Sequence, residues 1–136
     1  MASDENLAIV RRLFSAWDAK DDEAGRALLH PEVVWHPAAD EPEQGPLHGI
    51  TEVEKLLDQW AESFDEFRLE PRDFSAAGDC VVVPLLALGR VRGSDSELAI
   101  EETHVYRVWD RKVVEVWCLR TTEEALAIAG ASDEQR

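Results

Sequence analysis

Glu102, His104 and Tyr106 stand at alternate positions of the stretch 97–109. Alternate residues of a strand share a face. A carboxylate, an imidazole and a phenol are therefore set side by side. Leu98, Ile100 and Val108 complete that face, which predicts that it points inward. Ionisable groups on an inward face are costly unless partners satisfy them. One reading of the trio is an internal ion pair around a satisfied core histidine. The other is a polar floor to an apolar pocket. In that second reading His104 acts as a general base on a small, mostly apolar carbonyl compound, because an imidazole titrates near neutral pH. Tyr106 or Arg120 stabilises the developing enolate oxygen, and Glu102 orients Arg120 or His104.

The following stretch, 113–120, sets the partners. A three-residue turn at 110–112 places Trp109 opposite Val113, Tyr106 opposite Val116, His104 opposite Cys118 and Glu102 opposite Arg120. A two-residue turn slides the register by one and sets His104 against Trp117. The first register is expected, because Val114, Val116 and Cys118 then continue the apolar inner face.

Helices must close the other side. Leu7, Val10, Leu13, Phe14 and Trp17 repeat at three- and four-residue spacing, predicting a helix over 4–20. Asp21-Asp22 opens a second, which Pro31 ends. Val33–Trp35 reads as a short strand, and 37–49, rich in Pro and Gly, as a loop that could cover a pocket. Thr51-Glu52-Val53-Glu54 has capping-box spacing at the start of a third helix. Strands follow over 67–75, 79–92, 97–109 and 113–120, then a short helix from Thr121 to Gly130 and a frayed tail. Three helices before an antiparallel sheet indicate an α+β fold in one domain over 1–136. A strongly curved sheet wrapped on those helices leaves a cavity. Trp17, Trp35 and Trp60 are either plain core or flat walls for a ring-containing ligand. His36 is a rim residue or a pocket residue.

Acidic residues outnumber basic ones 29 to 14, a formal net charge of −15. That excludes nucleic acid and anionic membranes as expected partners. No apolar run reaches membrane-helix length, and the first residues lack signal-peptide character. Cys80 and Cys118 read as reduced thiols of a cytoplasmic protein. The sequence has no metal-ligand cluster, phosphate loop or dinucleotide fingerprint, so no cofactor is expected. Residues 80–88 are apolar on both faces. With no other element assigned to cover the outer face, a homodimer packed sheet to sheet is expected. Pro84, lacking an N–H, predicts a bulge or edge.

Several strings, in order, resemble the SnoaL-like polyketide cyclase family of the nuclear transport factor 2-like superfamily. They are Leu7-Ala-Ile-Val-Arg-Arg-Leu-Phe-Ser-Ala-Trp17, Leu28-Leu-His-Pro-Glu-Val-Val-Trp35, His48-Gly-Ile-Thr-Glu-Val53 and the last hairpin. The resemblance spans about 5–130. It implies a cone-shaped α+β barrel enclosing a pocket. It also implies binding of a small ring-containing molecule and cofactor-free proton transfer of cyclase or isomerase type. His104 matches the family's histidine. Cys118, fourteen positions on, stands where the family carries its acid–base aspartate, and a thiol in an apolar site stays protonated. The implied site is His104, Glu102 and Cys118, with Trp17, Trp35, His36, Trp60, Tyr106 and Arg120 about the ligand. A non-catalytic binder and a structural dimerisation domain are the alternatives.

Overall fold

The computed structural model describes residues 2–37 and 46–134. Helix α1 runs Ala2–Asp18 and buries Ile9, Val10, Leu13 and Phe14. Lys20 takes a left-handed conformation just beyond it, at φ 57°. The amides of Lys20 and Asp21 then return to the carbonyls of Trp17 and Ala16, which ends the helix cleanly. Helix α2, Asp22–Leu28, is capped by the Asp21 carboxylate on the Ala24 amide. The chain enters β1 (Leu29–His36) directly, so Pro31 lies inside a strand that begins earlier than the pattern suggested. After β2 (Leu47–His48), α3 covers Ile50–Ser63. Its cap is Gly49 rather than Thr51, with φ 90° that suits glycine, and Glu52 reaches back to the His48 amide. The lid expected over 37–49 falls largely outside the described residues.

The remaining strands are β3 (Phe64–Pro71), β4 (Ser75–Ala77), β5 (Cys80–Val91), β6 (Glu97–Trp109) and β7 (Lys112–Leu119), followed by α4 (Thr122–Glu134). The sheet order is β2-β1-β7-β6-β5-β3, with β4 beside β5. The fold is α+β as expected, but the sheet is open and mixed: β1 runs parallel to β7 while every other pair is antiparallel. The strand expected over 67–75 is split in two. Pro84 keeps its register with Thr103 of β6 and faces the β3–β4 break on its other side, where its carbonyl takes the Arg72 amide. A residue without an N–H is tolerated at such a break.

The core lies between α1, α3 and the inner face of the sheet: Val10, Leu13, Val53, Leu56, Val81, Val83, Leu85 and Val116. The outer face holds a correction. An element of the chain does cover it: α4 sets Ala125 and Ala129 on Cys80, Val82 and Val105. Four-residue spacing puts the two alanines on one helical face, and their small size lets the helix approach closely. Thr121 opens α4 with the expected box, its hydroxyl accepting from the Glu124 amide and donating to that residue's carboxylate. Gly130 does not end it; the helix continues to Glu134.

Candidate functional site

The β6–β7 hairpin builds the polar centre. Its turn has two residues, Asp110 and Arg111, both left-handed at φ 51° and 66°, so Trp109 faces Lys112 and Val108 faces Val113. That is the primed turn that matches strand twist. One extra residue, Val114, is then inserted in β7, and from Arg107↔Glu115 onward the register is Tyr106↔Val116 and His104↔Cys118. The expected pairing of His104 with Cys118 is present, but a short turn plus a bulge produces it, not a three-residue turn.

Glu102, His104 and Tyr106 form a hydrogen-bonded chain along the inner face. The His104 Nδ1 to Tyr106 hydroxyl distance is 2.8 Å, His104 Nε2 lies 2.9 Å from Glu102 Oε1, and Arg120 Nη1 donates to Glu102 Oε2 at 3.0 Å. His104 is 1% exposed and Tyr106 0%, whereas Arg120 is partly open to solvent. The chain thus runs from a partly exposed guanidinium to a buried phenol. Burial, then the anionic forms of Cys118 and Glu102, push the Tyr106 hydroxyl well above its ordinary range. A phenol held neutral donates its proton, so Nδ1 accepts it and Nε2 carries the ring hydrogen toward Glu102. Both ring nitrogens are therefore engaged.

The neutral phenol makes a prediction about alkaline stability. Below pH about 10, Tyr106 is protonated folded and unfolded alike and adds no pH dependence. Above it, the unfolded chain loses the proton first, so stability falls as pH rises, by at most about 1.4 kcal/mol per pH unit from this group. Urea denaturation from pH 8 to 11.5 is expected to give a shallower decline in Tyr106→Phe than in wild type. Equal slopes would contradict the burial of an ionisable phenol.

Aromatic rings pack over this chain. Phe14 meets Tyr106 edge-on at 5.5 Å, and Trp35 contacts Trp17 at 6.1 Å, Trp60 at 6.4 Å and His104 at 6.5 Å. Trp35, like Tyr106, is 0% accessible, so no water-sized space touches either ring. The side chains expected to line a pocket there, Trp17, Trp35, Trp60 and Tyr106, are in ring contact with one another. Phe14 was not foreseen as a neighbour of the site, although its spacing from Trp17 places both on one helix face. Cys118 is buried opposite His104.

His36 is set apart from the other candidates. Trp35 faces Val116 on the inner face, so the next residue points outward. There His36 stacks on Trp117 at 5.3 Å and hydrogen-bonds Glu115 at 2.6 Å through Nε2. Leu98 and Ile100, expected inward, do share the inner face but lie exposed at its end. An open cleft of about 530 Å³ sits where Trp17, Asp18 and Lys20 meet Phe67, Gly89 and Leu98. Trp17 lines that cleft and also packs on Trp35 and Tyr106. Among the described residues no group of three or more metal-ligating side chains occurs, and no helix is long and apolar enough to cross a membrane.

The SnoaL-like domain profile matches residues 10–116. The chain belongs to the SnoaL-like domain family. As a SnoaL-like domain it superposes on TerC, crystallised with polyporic acid, with 20% identity and a TM-score of 0.75, covering 93% of this chain and 98% of that one. A protein described as a SnoaL-like polyketide cyclase, from a Jannaschia species, gives 20% identity and a TM-score of 0.75, covering 93% of this chain and 92% of its own. A nuclear transport factor 2-like protein of unknown function from Burkholderia pseudomallei gives 23% and 0.77, covering 92% and 97%. At these identities the likeness is one of fold. A comparison with the curated proteins finds no match.

Proposed function

We propose that this SnoaL-like domain binds a small, mostly apolar ring compound between the tryptophans and the polar chain, with the Trp17 ring parting from Trp35 and Tyr106 to make room for it, and that His104 transfers a proton on it without a cofactor. The observation that carries the reading is the chain Arg120–Glu102–His104–Tyr106, which brings a proton-bearing network into an otherwise apolar interior. A ligand carbonyl that accepts the Tyr106 proton releases His104 Nδ1. The freed nitrogen then takes a proton from the carbon beside that carbonyl. The electron pair moves to the oxygen, where Tyr106 holds the enolate, and the imidazolium is stabilised by Glu102. Returning the proton to carbon completes the cycle. Cys118, a buried thiol, adds no carboxylate to this scheme, and its part is confined to shaping the wall beside His104.

Two observations favour plainer readings. Engaged nitrogens and a thiol at 118 suit a binder that leaves its ligand unchanged. A packed interior suits a structural domain. Ring ketones such as 1-tetralone, incubated with the protein in deuterium oxide, separate the three. Deuterium gained beside the carbonyl faster than in buffer supports proton transfer. Binding without exchange supports the binder, and neither supports the structural domain. The outer-face homodimer is retained as a proposal on a smaller footing, the half-buried outer-face side chains Leu86 and Leu88 beyond the α4 contact; a monomer in sedimentation at about 100 times the assay concentration removes it. The reading of Cys80 and Cys118 as reduced thiols suits a reducing compartment, which supports a cytoplasmic location.

A further inference from the structure

Trp35 is fully buried, yet its indole Nε1 has no hydrogen-bond partner among the described residues. The polar atoms near it are matched: the Tyr106 hydroxyl, both His104 nitrogens and both Glu102 oxygens are hydrogen-bonded. A buried donor left unpaired costs stability, and such groups in native proteins call for an explanation. An indole N–H can only donate, so what completes it is an acceptor. The neighbouring rings Trp17 and Trp60 are only partly buried, and Trp17 both packs on Trp35 and lines the open cleft. Trp35 is thus in contact with a side chain that reaches the cleft.

We propose that the Trp35 indole N–H anchors an acceptor oxygen of the bound ring compound, carbonyl or quinone, and so selects oxygenated rings over plain hydrocarbons. The inference rests on the reading that this interior takes a ligand. Trp17, swinging toward the cleft, supplies the way in. A site built to donate a hydrogen bond discriminates against the analogue that lacks the acceptor, because its buried donor then stays unpaired.

The test uses 1-tetralone and tetralin, one bicyclic frame with and without a carbonyl, titrated against wild type and Trp35→Phe. The ketone is expected to bind wild type at least about tenfold more tightly. Trp35→Phe is expected to narrow that margin to the part supplied by Tyr106, weakening tetralone more than tetralin. In wild type, the slowest-exchanging of the five indole N–H signals is expected to move downfield with tetralone and not with tetralin. That spectrum needs no variant and decides the matter where Trp35→Phe does not fold. Equal affinities for the two compounds with no such movement overturn the anchor and leave ligand binding standing. Failure of both compounds to bind overturns the anchor and the ligand reading together.

Discussion

His104→Ala is expected to slow protein-dependent deuterium exchange into a ring ketone at least about 100-fold and to cost about 2–4 kcal/mol of folding stability. The kinetic part follows from Nδ1 being the nitrogen that a ligand can release for proton transfer. The stability part follows from what the ring leaves behind. The fully buried Tyr106 hydroxyl loses the His104 acceptor, and Glu102 Oε1 loses the His104 donor. Each unpaired group carries a desolvation penalty, and the vacated ring volume adds a cavity. Urea denaturation reads the second quantity, and mass spectrometry of the ketone reads the first at a temperature where the variant is folded. Undiminished exchange would place the base elsewhere. Unchanged stability would mean that the chain contributes nothing to the fold.

Ala125→Asp is expected to release α4, with a loss of at least about 3 kcal/mol. Ala125 is 0% accessible and packs with Cys80, Val82 and Val105. The cation in register on that face, Arg107 opposite Cys80, is already engaged with Asp79 and Glu115. The helix therefore leaves the sheet rather than bury the charge, which limits the penalty to the docking it gives up. The readout is specific. Cys80 becomes reactive toward a thiol reagent while Cys118, buried on the inner side of the sheet, stays protected. The uncovered strand face is apolar, so the variant is also expected to associate at micromolar concentration. A variant with wild-type stability and a protected Cys80 would show that α4 does not hold this face.

Local periodicity made most elements readable. The three- and four-residue spacing of α1 and the alternation of β6 are properties of neighbouring residues, and both elements appear close to where the pattern placed them. The partners of those elements are harder to read, because they depend on residues far apart in the chain. The parallel pairing of β1 with β7 joins residue 35 to residue 116, and no local signal announces it. The docking of α4 was missed for a related reason. Ala125 and Ala129 carry little apolar weight, so their face looked unremarkable beside the uncovered run 80–88. In the site, residue types and faces were legible for Glu102, His104 and Tyr106. Whether Trp17, Trp35 and Trp60 surround a space or fill it is a matter of ring orientation, which tertiary packing decides. His36, beside the Pro-rich loop, reads as a rim or pocket residue, whereas the pairing of Trp35 with Val116 on the inner face sets His36 on the outer one.

The compact turn at Asp110-Arg111 and the additional residue at Val114 behave as compensating frameshifts. Deleting Val114 alone would straighten β7 while Glu115 stays opposite Arg107 and Cys118 opposite His104. Lengthening the loop by one at the same time would leave that pairing in place too. Relatives whose hairpins differ in loop length can therefore present the same inner wall, and gaps placed by residue count alone would misalign the position across from His104.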